Sequence, residues 1–351
     1  MLYELYDTEI SPVFASVLLG AGLGLVFGIA AQITRFCLRR GLVTGASDRA
    51  TALGTWLTAL LVALLGTQAL VLGGYLDFSD HRLHVEALPI AAVLLGGLMF
   101  GAGMVLTRGC VSRLTVLSAS GNLRAVTCLV IFAIVAHAAL KGVLAPARVA
   151  IGSVTLEVGS LSTLAGLPGG AALWTALLAV GLIAVIYRSG VRPSTLGLAA
   201  LIGALVPLGW FGTSVFLLDD FDPIAMASMS FTAPWADTLF WTVASTSIPA
   251  GFGTGLIGGV LLGGFASAAA RGEISLQSFE TPGQTLRYAG GAALMGVGGV
   301  LAGGCTVGAG LSGVGSLSLS ALLALLAIGA GAVLIDRLVD RRSTSAVVPA
   351  E

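Results

Sequence analysis

Residues 97–110 read GLMFGAGMVLTRGC, and residues 293–305 read ALMGVGGVLAGGC. Without a gap, Gly101, Gly103, Leu106, Gly109 and Cys110 fall on Gly296, Gly298, Leu301, Gly304 and Cys305, 195 residues further on. Each copy is an apolar run that breaks into small residues and a cysteine. Each continues to Ser-Gly-Asn-Leu (120–123) or Val-Gly-Ser-Leu (314–317), where another apolar run begins. Self-similarity at this spacing predicts two related halves, approximately 12–144 and 195–338, inside one transmembrane domain covering 1–351.

The composition sets the solvent. Of the 351 residues 56% are hydrophobic and 10% charged, against about 25% charged in soluble domains. A zero net charge with Lys141 as the only lysine offers nothing to a nucleic acid. A membrane helix needs about 20 mostly apolar residues. The segments that meet this are 12–33, 52–74, 88–106, 123–144, 170–187, 195–217, 251–270, a short 288–302, and 317–338. A shorter stretch at 235–249, interrupted by Pro249, reads as re-entrant. The expectation is an all-α integral membrane fold of about nine transmembrane helices plus partial re-entrant ones.

Arginine placement gives the orientation. Connections 35–49, 188–192 and 271–287 and the tail (Arg337, Arg341, Arg342) are basic. Connections 75–87 and 218–234 are acidic, with Asp77, Asp80, Glu86, Asp219, Asp220 and Asp222. The acidic N-terminus (Glu4, Asp7, Glu9) is unlike a cleavable signal and is expected outside, the C-terminus inside. The two cysteine copies then run in opposite senses, an inverted-repeat transporter pattern.

Three segments share one grammar of apolar helix, cysteine and small residue: Thr34-Arg35-Phe36-Cys37, Thr107-Arg108-Gly109-Cys110-Val111-Ser112 and Gly303-Gly304-Cys305-Thr306. Backbone that leaves helix at membrane depth is tolerated only where protein or a watery cavity satisfies it. Glycines there let the chain turn, and the next helix start offers a positive end to an anion. A thiol is polarizable and matches a soft sulfur atom, as in an anion such as thiosulfate, better than a hydroxyl does. Several weak sites in series suit conduction. The candidate substrate-binding set is Cys37, Cys110, Cys305, Arg108, Gly109, Gly304 and Thr306.

Packing is the competing explanation for each cysteine, because free cysteine is commonly buried. It is preferred for Cys128, inside an uninterrupted apolar run. Arg35, Arg39 and Arg40 read as interface anchors, and His81 and His84 as loop residues. His137, in a span near Lys141, is a candidate only as an intramembrane ionisable group. Glycine strings such as Gly20-Gly24-Gly28 and Gly255-Gly259-Gly263 fit close helix packing. No CxxC pair or phosphate-binding loop occurs, so neither metal nor cofactor is expected, nor an enzyme. The competing class is a membrane thiol redox protein, which needs cysteines within reach of each other.

At the cysteine segments, above all Thr107-Arg108-Gly109-Cys110 and Gly303-Gly304-Cys305-Thr306-Val307-Gly308, the chain resembles the YeeE/YedE family of bacterial sulfur-transport membrane proteins. The resemblance runs along nearly the whole chain. It implies an hourglass-like helical fold in the inner membrane, uptake of thiosulfate, and a relay through the positions matched by Cys37, Cys110 and Cys305. It also implies a small soluble TusA-type sulfurtransferase as partner. Some relatives are linked to selenium, so another sulfur or selenium species remains the alternative substrate. The basic stretch after Cys37 and Val-Ser-Arg after Cys110 depart from the glycine-rich continuation after Cys305.

Overall fold

The computed structural model describes residues 11–44, 47–219 and 223–345, with side chains as far as Val339. The side chains of Glu4, Asp7, Glu9, Asp220, Asp222, Arg341 and Arg342, read above for orientation, lie outside the described residues. The described chain is helical: α1 Pro12–Thr34, α2 Leu38–Leu42, α3 Arg49–Leu72, α4 Ile90–Leu106, α5 Val111–Ala119, α6 Leu123–Lys141, α7 Ala145–Gly152, α8 Gly170–Arg188, α9 Pro193–Phe211, α10 Thr232–Val243, α11 Phe252–Ala270, α12 Pro282–Leu301 and α13 Leu319–Ser345. The only sheet among the described residues pairs two-residue strands β1 (Ala87–Leu88) and β2 (Leu156–Glu157). Nine helices or helix–turn–helix units among these are long and apolar enough to cross a membrane.

Local chemistry sets where several helices begin. Ser11, Asn122 and Thr281 accept hydrogen bonds from the amides of Phe14, Ala125 and Gln284, which caps α1, α6 and α12. Proline at the first helical position helps at α1, α9 and α12. The cap at Thr281 explains why the span expected at 288–302 is longer in the structure. Its first turns carry Gln284, Thr285 and Arg287, polar residues that an apolar window discards. The stretch expected to re-enter at 235–249 forms the half-length α10, which stops before Pro249.

The helices pack in parallel pairs. Helix α1 lies along α11, so that a Cβ on Gly20, Gly24 or Gly28 would meet the carbonyl of Phe252, Leu256 or Val260 at 2.2–2.4 Å. Helix α3 runs along α9 in the same way, α4 along α13, and α6 along α12. Helices α4 and α12 cross antiparallel, where a Cβ on Gly103 would sit 2.3 Å from Gly291 O. Lipid tails are as apolar as leucine, so association rests on close van der Waals contact rather than on burial from water. Glycine permits that contact at these positions. Helix α8 is peripheral, with only Thr175 and Ala179 of its residues buried.

One face of the bundle gathers the α2–α3 turn, the 120–122 turn, the 271–281 connection and the end of α13. Thr44 N and Oγ1 both donate to Asp336 (2.8 Å each), Asn122 to Gln277 (2.9 Å) and Gln32 to Glu273 (2.9 Å). The opposite face carries the 73–87 connection and β1–β2.

Gly24→Ala and Gly259→Ala are each expected to destabilise the protein by about 1–3 kcal/mol, because backbone carbonyls stand in the way. Gly258→Ala, whose Cβ meets nothing within 4 Å, serves as the control and should melt no lower than the wild type in detergent. Equal melting of all three variants would refute glycine-dependent contact.

Candidate functional site

Each of the three cysteines follows a helix that ends in the same way. At the end of α1, Arg35 takes a left-handed φ of 51°, and Phe36 N donates back to Ala31 O (3.1 Å). At the end of α4, Arg108 has φ 59° and Gly109 N donates to Met104 O (3.1 Å); at the end of α12, Gly303 has φ 74°. Glycine enters this region freely, whereas arginine does so at a cost. Two residues later the chain is extended at Cys37, Cys110 and Cys305, and each cysteine is the N-cap of a new helical segment. These segments are α2, α5 and a π-helical stretch, Thr306–Gly313. The wide π turn still gives Cys305 a cap bond, with Gly308 N donating to its Sγ at 3.4 Å.

All three thiols are free and buried. Cys37 and Cys110 lie close enough to act on each other, and Cys110 Sγ lies 3.2 Å from Ser112 Oγ. Around them stand arginines: Arg39 and Arg113 both act electrostatically on Cys37. Arg40 is engaged elsewhere, in an ion pair with Asp48 and a 2.8 Å bond to Arg35 O. Cys305 lies on the other side of an aromatic column. Phe36 packs edge-on to Phe27 (6.1 Å), and Phe27 packs on Phe231 (5.2 Å). Next to Phe231, Ser230 approaches Gly308, one turn beyond Cys305. The Thr306 hydroxyl is buried without a partner.

A cavity of about 270 Å³ opens over the Cys305 segment, lined by His81, Arg82, Trp210, Ser230, Asp237 and Gly308 among others. The 73–87 connection forms its rim and is pinned to the π segment at both ends. Arg82 Nη1 donates to Gly303 O (3.1 Å), His84 Nε2 lies 3.1 Å from Ser316 O, and Ser318 Oγ donates to Leu83 O (2.5 Å). His81 packs edge-on to Trp210 at 5.2 Å. Burial holds His81 down to about 4 and lowers His84 as well, with the Arg82 charge adding to the effect at His81. Both rings are therefore neutral at pH 7. Ser79 N, donating to the Asp77 carboxylate at 2.8 Å, holds that acid below its usual range.

The other sequence candidates occupy varied places. Arg108 and Gly303, equivalent in the internal alignment, share the left-handed conformation, and the Arg108 side chain is exposed. Gly304 is required sterically, because a Cβ would lie 2.7 Å from Ala309 N; Gly109 is not, its Cβ falling 3.4 Å from Leu114. Cys128 is fully buried and donates to Tyr288 O (3.8 Å), a packing role. His137 stacks on Phe240 at 4.3 Å. The aromatic column and Arg82 escaped the sequence reading: the phenylalanines are spread over distant segments, and Arg82 sits in an acidic loop. The described residues hold no group of three or more metal-binding side chains.

The architecture and its three cysteine turns define a multi-pass helical membrane protein with interrupted helices at its core. The sulphur transport family signature matches residues 33–334, and the chain belongs to that family, the YeeE/YedE proteins. Among characterised relatives it is 26% identical over 324 residues to the thiosulfate transporter TsuA of Spirochaeta thermophila, covering 87% of this chain and 93% of the relative. It is 25% identical over 333 residues to TsuA of Escherichia coli K12, covering 85% and 87%.

The His81 environment predicts acid sensitivity of the rim. Between about 4 and the ordinary 6.5, the unfolded loop binds a proton that the folded loop refuses. Its stability is therefore complete above pH 6.5 and falls as pH drops toward 4. Amide protection factors across 75–86 should decline between about pH 7 and pH 5 while those of α4 hold. Replacing His81 and His84 together with asparagine should flatten that dependence.

Proposed function

We propose that this protein takes up thiosulfate across the bacterial inner membrane, along a path on which Cys305, Cys110 and Cys37 each offer a thiol to the ion's sulfur. The observation that carries this reading is the threefold recurrence of one turn: left-handed residue, extended cysteine cap, new helical start. Each turn places a helix start and a soft, polarizable sulfur in the core of an otherwise apolar bundle. The names of the two relatives agree with the substrate. Gly109, Gly304, the Arg108 turn and the unpartnered Thr306 hydroxyl complete the contact set. The ion enters by the rim at 73–87, meets Cys305 first, and leaves past Cys37 and Cys110 toward the basic face. No covalent step is needed, so the protein acts as a transporter rather than an enzyme, and a small TusA-type sulfurtransferase is the partner expected on the inner side.

In this reading the halves 12–144 and 195–338 are inverted repeats. Their support is the exchange of partners: α1 with α11 matches α9 with α3, and α4 with α13 matches α12 with α6. The N-terminus is then outside and the C-terminus cytoplasmic. Impermeant thiol labelling of single cysteines in 75–87 and 271–281, in a background lacking the native ones, should reach only the first set from the periplasm. Both sets reacting from one side would contradict the inversion.

A second reading is favoured by the approach of Cys37 to Cys110. Loss of two protons and two electrons to a quinone would join them as a disulfide, making a membrane thiol redox protein. Transport predicts that Cys110→Ser and Cys305→Ser fold normally and lose most thiosulfate uptake, about tenfold or more, in cells dependent on this protein for sulfur. Full uptake by both variants would sink the thiol path. Redox turnover that needs Cys37 and Cys110 but not Cys305 would instead select the second reading.

A further inference from the structure

Among the described residues, three arginines, Arg39, Arg113 and Arg287, each keep a buried guanidinium nitrogen without a hydrogen bond, and Arg287 stacks on the Tyr288 ring. Arg113 Nη1 and Arg39 Nε are buried without a hydrogen bond, and neither residue pairs with a carboxylate among the described residues. Arg39 lies in the five-residue α2 after Cys37, and only Arg113 stands in the first turn of a full helix, α5 after Cys110. A cation in a first turn opposes the helix dipole, and a charge held from water without a counter-ion is among the most costly groups a fold can keep. The neighbouring charges add to the frustration. Arg108 acts on Arg39, while Arg40 and Arg35 act on Arg113. The one acid near Arg39 is Asp336, which already accepts two bonds from Thr44.

These arginines converge on the paired thiols of Cys37 and Cys110. We infer that Arg39 and Arg113 form an oxyanion station beside Cys37 and Cys110, gripping the doubly charged oxygen end of a sulfur oxyanion while a thiol meets its sulfur. The inference rests on the proposed sulfur-anion path and adds the groups that read the ion's charge. Arginine suits this task, because its planar donors match oxyanion geometry and stay protonated. The station admits divalent oxyanions as a class. Sulfate, with the charge but no terminal sulfur, is expected to compete weakly, and chloride at matched ionic strength is not.

The test uses the full-length protein in detergent, with thiosulfate, sulfate and chloride as probes. Arg113→Met and Arg39→Met should each raise the melting temperature of the ion-free protein, since an unpaired charge is replaced by a packed apolar chain. Each should also weaken thiosulfate binding by about tenfold or more, the effect of losing a charge-assisted hydrogen bond. Retained thiosulfate affinity in both variants overturns the station whatever the melting temperature does, and so does a wild type that binds neither thiosulfate nor sulfate. If a variant melts lower and loses binding, Arg113→Lys and Arg39→Lys decide: recovered binding supports the station, and no recovery overturns it. The path reading is judged separately by uptake in Cys110→Ser and Cys305→Ser. Unimpaired uptake there with lost binding in the arginine variants would end the thiol path and leave standing only the arginine grip on the ion's oxygens.

Discussion

A chain that leaves helix inside an apolar slab must find a partner for every amide and carbonyl it frees. This protein does so three times with one local solution. The outgoing helix closes on itself through a left-handed residue, at Arg35, Arg108 and Gly303, and a cysteine caps the next helical start. The turn needs few residues and sets each cysteine at the start of a new helical segment. The rest of the architecture serves that turn. Parallel pairs packed through glycine, α1 on α11 and α4 on α13, give a rigid frame in which an interrupted helix keeps its break at a fixed depth.

Charge is arranged unequally about these turns. On the side of the 73–87 rim, the cavity over the Cys305 segment is lined by Arg82 and Asp237, and its histidines are kept neutral by burial. Beside Cys37 and Cys110, Arg40 is paired with Asp48, but Arg39 and Arg113 form no ion pair among the described residues. Peptide dipoles and arginines there share one sign, an arrangement that raises the free energy of the empty protein. Such frustration is characteristic of sites whose stabilising partner is a ligand rather than another residue.

Much of the frame was legible in the sequence because lipid simplifies the code: a long apolar run has few alternatives to a helix. The start of α12 escaped for the same reason, since Gln284, Thr285 and Arg287 look like loop to an apolar window while Thr281 caps a helix there. The turns at Cys110 and Cys305 were visible through the repeated Gly-Cys pairs, whereas Cys37 follows Phe36 and has no repeat mate. That Arg108 and Gly303 share a backbone conformation was not visible, because no side-chain similarity joins them. The meeting of Cys37 with Cys110 is a tertiary fact: the two lie on different segments with unlike flanks, and only the packing of α1 against α5 unites them. Arg39 read as an interface anchor because composition locates a charge without revealing whether it has a partner.

The aromatic column between the two thiol sites bears on how an ion would travel. Phe36, Phe27 and Phe231 offer no hydrogen bonds to an oxyanion, so an ion passing them would exchange one set of donors for another across an apolar step. Conduction tolerates such a step only if neither flanking site binds too tightly. Thiols meet that condition better than arginines would at both ends: a thiol is a weak donor, while a guanidinium holds an oxyanion firmly. On the proposed path, Arg39 and Arg113 on the Cys37–Cys110 side would give a direction of increasing grip, from weak contacts at Cys305 and Thr306 to a charged site on the basic face. Release from such a site would need competition from water or from an acceptor on that face, so that on this proposal removal of the ion, rather than its entry, would draw transport forward.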